Sequence, residues 1–345
     1  MAAATPRHQR VAVGLQVQVL VSLALPHTAT AKIAAAGELA VRRGVRPLRY
    51  HGSVRLLILT ARPELAANSR LCEAAEAEGV EPVVLDAARV VAVCGEAPHL
   101  LCDGADLLDD PPGAVIARVG NWRPRSVLAA LEASVDAGVA TPNPPGAIRT
   151  GRDHWLTVRG LGLAGLPVLE TLAGSDPETV AQAAHDRLGY PVVVKQRRSR
   201  MGVGVIRCDG RDQLEAVLDT LWRLGDEYIV QRYLPAGNSS LRLLVVGGVV
   251  VAGARFTAGP GEWRSNAARG GDIAKHRPSD GETRLAVSAA AALGLGHCGV
   301  DLLPGSSPVV LEVNPTPGFS HLERATGEDV ARAIVAHAVG AGTRG

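Results

Sequence analysis

Three short apolar runs open the body of the chain: "VRLLILT" (54–60), "VEPVVLD" (80–86) and "AVIARVG" (114–120). Each is bounded by polar, Gly or Pro residues, which predicts buried strands. Between the first two, "ANSRLCEAAEAEG" has helical spacing, with Asn68 or Ser69 as the expected cap. "RSVLAALEASVDAG" predicts a helix after the third. Strand, helix, strand in that order predicts a parallel αβ unit. No GxGxxG follows the first strand, which argues against a dinucleotide site. The Pro-rich "TPNPPGAI" (141–148) reads as a boundary.

Beyond it the pattern changes. "RDHWLTVRGLGLAGLPV" predicts a helix leading into a strand, and "DPETVAQAAHDRLG" a helix capped by Asp176 with Pro177 in its first turn. "YPVVVKQRRSRMGVGVIRC" (190–208) reads as strand, glycine-containing loop, strand. "RDQLEAVLDTLWRLG" sets Leu214, Val217, Leu218 and Leu221 on one helical face. "EYIVQRYL" is a strand, and Gly247-Gly248 between two β-branched runs predicts a hairpin.

Composition narrows the class. A chain of 345 residues suits two or three domains, and 47% hydrophobic residues exclude a disordered chain. Aromatics are only 3%, so the core must be built from Val, Leu and Ala. Lys32, Lys195 and Lys275 are the only lysines among 36 basic residues, which draws attention to each. The five cysteines are scattered with no CxxC pair, so neither a disulfide frame nor a zinc site is expected. Residues 1–53 carry seven basic groups against one acid, Glu38, so the remainder is net acidic and lacks the basic–aromatic pattern of a nucleic-acid binder.

Within those first 53 residues, Arg7 and Arg10 precede an apolar run, and Ala29-Thr30-Ala31 follows like a cleavage site. Gln16 and Gln18 interrupt the run, and it is too short to span a membrane. An export signal, a true extension and an over-long start are the three readings. The expectation taken forward is that residues 1–53 are an extension, disordered or outside the genuine start at Val54, and that their deletion leaves activity unchanged.

The segment "CGVDLLPGSSPVVLEVN" (298–314) reads as two strands around "PGSSP". A turn centred between Ser306 and Ser307 places Asp301 opposite Glu312. Asn314, two residues on, shares that face. Two carboxylates and an amide oxygen form a hard set suited to Mg²⁺. An exposed strand face with scattered polar residues is the alternative, and spacing alone leaves the two balanced. Lys195 ends an apolar strand beside a loop containing Gly202 and Gly204, followed by the basic groups Arg197, Arg198 and Arg200; such a loop can cover phosphates or be a simple turn. "EWRSNAARGG" (262–271) offers Arg264, Ser265, Asn266 and Arg269 as an anion-binding loop or a surface connection.

Together these motifs resemble the ATP-grasp carboxylate–amine ligases, in particular the RimK-type α-L-glutamate ligases. "YPVVVK", "RMGVGV", "YIVQRYL", "LRLLVVGG", "WRSNAARGG", "GVDLL", "LEVNPTPGF" and "ATGEDVARAIV" occur in order over about residues 54–340. The resemblance implies an α/β fold with α+β lobes: a pre-ATP-grasp αβ domain (54–145), a first lobe with a glycine flap (146–235) and a second lobe with the metal site (236–340). It implies Mg²⁺ or Mn²⁺ at Asp301, Glu312 and Asn314. ATP would contact Lys195, the flap residues Met201, Gly202, Val203 and Gly204, the strand residues Gln231, Arg232, Tyr233 and Leu234, and also His154 and Asn266. Arg242, Arg264 and Arg269 would face phosphates or substrate.

The implied reaction joins a carboxylate on a small molecule or peptide to an amino acid, glutamate or a relative, through an acyl phosphate. Neither nucleic acid nor membrane is an expected partner; the expected location is cytoplasmic, and a homo-oligomer is compatible. The sequence departs from the family pattern at His154 (usually Lys), Arg232 (usually Glu) and Ser240 (usually an acid), and the flap lacks an early glycine. Those departures keep two alternatives open: a degenerate nucleotide-binding protein without ligase activity, and an ATP- and Mg²⁺-dependent phosphotransferase. "RVGNWRP" (118–124) falls where the family's substrate entrance would be, and Arg118 there suits either a substrate carboxylate or a structural salt bridge.

Overall fold

The computed structural model describes residues 54–120, 123–198, 204–235, 238–259, 261–264 and 271–342. Residues 1–53, Met201, Gly202, Val203, Asn266 and Arg269 therefore lie outside the described residues.

The first sheet is parallel, in the order β2 (Glu81–Asp86), β1 (Arg55–Thr60), β6 (Ala114–Arg118). Its strands alternate between two apolar cores. Leu56, Ile58, Ala114 and Ile116 face α1 (Ala66–Ala77), whereas Leu57, Leu59, Val115 and Ala117 face α2 (Pro124–Asp136). Helix α1 begins ahead of the expected cap: Leu65 is the N-cap, and Asn68, buried in the first turn, donates from its amide to the carbonyls of Arg62 and Pro63. An antiparallel meander of β3 (Val90–Val93), β4 (His99–Cys102) and β5 (Ala105–Asp106) packs on the α2 side. The sequence pattern did not reveal it, because its strands are only two to four residues long.

The Pro-rich segment after β6 leads directly into two short helices, α3 (Pro145–Gly151) and α4 (His154–Leu163). A four-stranded antiparallel sheet follows in the order β7 (Thr171–Leu172), β10 (Tyr228–Arg232), β8 (Val192–Gln196), β9 (Val205–Cys208). Helices α5 (Pro177–Arg187) and α6 (Arg211–Arg223) cover one face of it through Val180, Ala184, Leu214, Leu218 and Leu221, packed on Val192, Val194 and Val230. Asp176 caps α5 as expected, accepting from the Thr179 amide. The face turned away from those helices carries the alternate residues Val193, Lys195, Ile229 and Gln231, all of them buried.

The largest sheet has the order β13 (Asp272–Lys275), β12 (Val249–Thr257), β11 (Ser239–Val246), β14 (His297–Leu303), β15 (Val309–Asn314), all antiparallel. Gly247 and Gly248, both with positive φ, make the predicted two-residue turn between β11 and β12. On one face Leu241, Leu243, Val245, Val300 and Val313 pack against α7 (Asp280–Ala292). On the other, Leu244, Val246 and Phe256 join α8 (Ser320–Thr326), α9 (Val330–Gly342), α1 and the first sheet in a single core. The C-terminal helices thus pack beside the N-terminal strands. No helix among the described residues is long and apolar enough to cross a membrane.

Candidate active site

The face of the large sheet that meets the first-sheet core changes character along its strands. Beyond Leu244 it carries a row of charge running across adjacent strands. Arg242 on β11 is paired with Asp301 on β14, and Asp301 with Glu312 on β15. Cross-strand partners share a face, so the three side chains stand side by side, with Asn314 two residues along from Glu312.

This pairing arises by a route different from the expected turn. Leu303 pairs with Val309 and Leu302 with Val310, which centres the turn on Ser306. A register shift between Asp301 and Leu302 then takes up one extra residue, Leu311, and returns Asp301 to face Glu312.

Arg242 grips Asp301 with two charge-assisted bonds, Nε to Oδ1 at 2.7 Å and Nη2 to Oδ2 at 2.6 Å. The Asp301 charge holds the guanidinium firmly protonated. Lys195, on β8 of the four-stranded sheet, feels the same charges. Burial lowers its pKa, and Glu312 and Asp301 pull in the opposite direction. Two cations from two sheets therefore offset two facing carboxylates.

The donor set fits a hard divalent cation. Each Asp301 oxygen keeps a lone pair beyond its bond to Arg242. Asn314 Oδ1 accepts from the Thr316 amide at 3.0 Å, which orients the amide oxygen. The open end of the hairpin is pinned by Asn143, a buried residue from the Pro-rich segment. Its amide donates to the carbonyls of His297 and Pro315, both at 2.8 Å, and accepts from the His297 amide. Asn143 was missed in the sequence, where its setting between prolines signals only a break. Gly299 completes the platform: a Cβ there would stand 3.2 Å from Pro317 Cβ and 3.8 Å from Arg242 Cδ, so the absent side chain lets the "NPTPG" loop fold back over the sheet.

On the four-stranded sheet, Lys195 and Gln231 lie on the face turned away from α5 and α6, with Val193 and Ile229 between them. Gln231 is buried; its Nε2 donates to Thr171 Oγ1 at 2.9 Å, and its Oε1 has no partner among the described residues. Arg232 points elsewhere. It donates to the carbonyls of Leu188 and Arg187 at the end of α5 and to Glu170, so its side chain caps a helix. Tyr233 stacks under the Arg207 guanidinium and meets Trp263 edge-on at 5.9 Å. Leu234 is exposed.

Gly204, at the end of the flap loop, has φ +70, and a Cβ there would lie 2.3 Å from Gln196 Oε1. His154 is tied to the exit of β8, its amide donating to the Arg197 carbonyl at 2.9 Å, while the neighbouring Asp153 caps α4 and accepts from Arg197. Ser240 precedes Arg242 on the same face and is buried. Arg264 is held by its own loop and by β9. It forms a fork with Glu262 and donates to the Val205 carbonyl on β9, and it holds the Glu262 carboxyl down at about 2.

Comparison with known proteins gives one answer. Residues 151–338 match the RimK-like ATP-grasp domain. A protein named probable alpha-L-glutamate ligase from Marinomonas sp. (strain MWYL1) is 33% identical over 287 residues, covering 82% of this chain and 95% of that protein. One of the same name from Pseudoalteromonas translucida (strain TAC 125) is 35% identical over 300 residues, covering 84% and 98%. Among solved structures, an ATP-grasp RimK domain protein from Sphaerobacter thermophilus DSM 20745 superposes with a TM-score of 0.65 at 26% identity, over 83% of this chain and 99% of that one. The ATP-grasp ligase PsnB, solved with a phosphomimetic variant of its minimal precursor, Mg and ADP, gives a TM-score of 0.63 at 25% identity, over 85% and 99%. These likenesses establish that the chain belongs to the RimK-like ATP-grasp family.

Proposed function

We propose that this protein is an ATP-dependent carboxylate–amine ligase that adds glutamate or a related amino acid to a carboxylate on a peptide, cofactor or metabolite. The observation that carries the reading is the pairing of Asp301 with Glu312 beside Arg242, with the buried Lys195 of the other sheet within reach of their field. A lone pair of facing carboxylates would repel; this set is built to share positive charge with a ligand.

In this reading Asp301, Glu312 and Asn314 hold Mg²⁺, which supplies charge neutralisation for a triphosphate. Lys195 and Arg242 contribute fixed positive charge to the transferred phosphoryl group. Val193 and Ile229 give an apolar bed for a base, with the unpartnered Gln231 Oε1 as an acceptor for an amino group. The substrate carboxylate attacks the γ-phosphorus and ADP leaves, giving an acyl phosphate. The amine nitrogen then attacks the carbonyl carbon, the C–O bond to phosphate breaks with its electron pair, and the amine loses a proton. Carboxylates resist amines because oxide is a poor leaving group, and phosphorylation removes that obstacle. The protein's part is positioning and fixed charge.

The test is ADP release by the purified chain with Mg·ATP, an amino acid and candidate carboxylates. Release that needs both co-substrates and yields an amide is the expected result. Release with a stable phosphorylated product would identify a phosphotransferase instead, and none with any pair would sink the ligase reading. Glu312→Gln should lower turnover by about 100-fold or more, the scale of losing one transition-state charge contact.

A further inference from the structure

One charged side chain in the fold, Arg118, is buried without an ion pair among the described residues. Arg118 ends β6, at the carboxyl edge of the parallel sheet, where it pairs with Thr60. It is 9% exposed. One of its five N–H groups, on Nη1, donates to the Pro317 carbonyl at 2.9 Å, and its guanidinium carbon lies 5.4 Å from the Phe319 ring centre. No carboxylate of the described residues forms an ion pair with it, so burial alone acts on its charge and lowers its pKa to about 10. The structural salt bridge admitted by the sequence is therefore not what the fold provides.

A second group beside it is also incomplete. His297, on β14, is 1% exposed, and neither ring nitrogen has a hydrogen-bond partner among the described residues. It is close enough for the Arg118 charge to depress its protonation. A buried cation with donors to spare beside an unsatisfied imidazole describes a place for an acceptor-rich anion. Water could satisfy the imidazole but would leave the charge uncompensated. The planar fork of a guanidinium matches a carboxylate.

The place is also next to the chemistry. His297, Gly299 and Asp301 alternate along one face of β14, and the Pro317 that receives the Arg118 bond covers Gly299 beside Arg242. Gly299 and Asp301 are two residues apart, about 7 Å along a strand. In open α/β sheets ligands bind outside the carboxyl ends of the strands, which is where Arg118 stands.

We propose that Arg118, walled by Phe319 and His297, holds the non-reacting carboxylate of the amino-acid substrate and so sets the preference for an α-amino acid over other amines. The assignment rests on the ligase reading. The carboxylate that becomes phosphorylated belongs beside Lys195 and Arg242; the one that keeps its charge through the reaction is the one a permanent cation can hold. The amine attached to it is then presented toward the charged row.

The test compares glutamate with its α-carboxamide as the amine in ADP release. The wild type should prefer glutamate by at least about 30-fold in kcat/KM, on the scale of losing one charge-assisted pair. Arg118→Gln should raise the KM for glutamate by a similar factor, leave kcat within about threefold, and erase the preference for the carboxylate. Mg·ADP affinity should be unchanged, which a purely structural role of Arg118 would not predict. Should Arg118→Gln fail to fold, Arg118→Lys keeps the charge without the fork, and a raised KM at near-normal kcat is still expected. Variants that retain the glutamate preference, or that lose kcat and Mg·ADP binding together, overturn the assignment, as does failure of both variants to fold. A wild type that releases ADP with no amino acid at all would instead bring down the ligase reading, and this one with it.

Discussion

The side chain of Arg232 illustrates how position and role separate at the residue scale. The guanidinium sits on the last turn of α5, where it takes two carbonyls and the Glu170 carboxylate. Basic groups there complement the helix dipole and satisfy orphan carbonyls. Arg232→Ala should therefore lower stability by about 1 kcal/mol while changing nucleotide affinity less than about twofold, measured by denaturant unfolding and by Mg·ADP titration. His297 has a consequence for pH. Its folded pKa is about 3, below the ordinary 6.5, because it is buried and faces Arg118 and His337. In the window between those values the unfolded chain takes up a proton that the folded chain refuses. Stability is then complete above about 6.5 and falls as pH drops toward 3, with a limiting slope of about 1.4 kcal/mol per pH unit from this group. Unfolding free energies at pH 7, 6 and 5 should fall in the wild type and flatten in His297→Gln; equal slopes would show that the imidazole is not held neutral.

At the scale of elements, the hairpin of β14 and β15 shows which features a linear pattern carries. Alternation in "VVLEVN" puts Glu312 and Asn314 on one face, whereas bringing Asp301 opposite Glu312 takes an assumed turn. The turn position and the bulge at Leu311 are not written in that alternation, because a bulge adds a residue without changing the polarity of its neighbours. The expected and actual routes lead to the same facing pair since a turn earlier by half a residue and one inserted residue compensate each other. Helix α1 is a clearer failure: the polar Asn68 looked like a cap, but its amide turns back on the preceding loop. Packing between elements is sharpest at Gly296, whose amide donates to the Pro142 carbonyl at 3.0 Å. A Cβ there would come within 2.3 Å of that oxygen and 2.6 Å of His337 Nε2. Gly296→Ala should cost about 1–3 kcal/mol, the range for overpacking, and loosen the tie between the Pro-rich segment and β14. Unchanged thermal unfolding would contradict the close approach.

For the whole molecule, the decisive relation is between two sheets that share no strand. Lys195 on one and the Asp301–Glu312 pair on the other act on each other electrostatically, and the proposed nucleotide site lies with them. A ligand that bridges them stabilises the folded state by mass action, about 2.7 kcal/mol at a concentration 100 times its Kd. Mg·ADP should accordingly raise Tm by several degrees, with a smaller rise from ADP in EDTA. Glu312→Gln should lose most of the Mg²⁺-dependent part while its own unliganded Tm stays near that of the wild type. An equal shift with and without the metal would remove the metal from this site.

The sequence by itself determined the elements and the chemistry available to them. Period-two runs, helix caps at Asp176 and the Gly247-Gly248 turn are local signals, and the order of motifs carried the family. What only the tertiary structure decided is where side chains go once strands distant in the chain become neighbours. Arg242 meets Asp301 because β11 lies beside β14, Asn143 reaches His297 and Pro315 from another part of the chain, and Arg118 is buried with no ion pair among the described residues. Burial and pairing are sums over segments that a linear pattern keeps apart, so they become visible only when the chain has closed on itself.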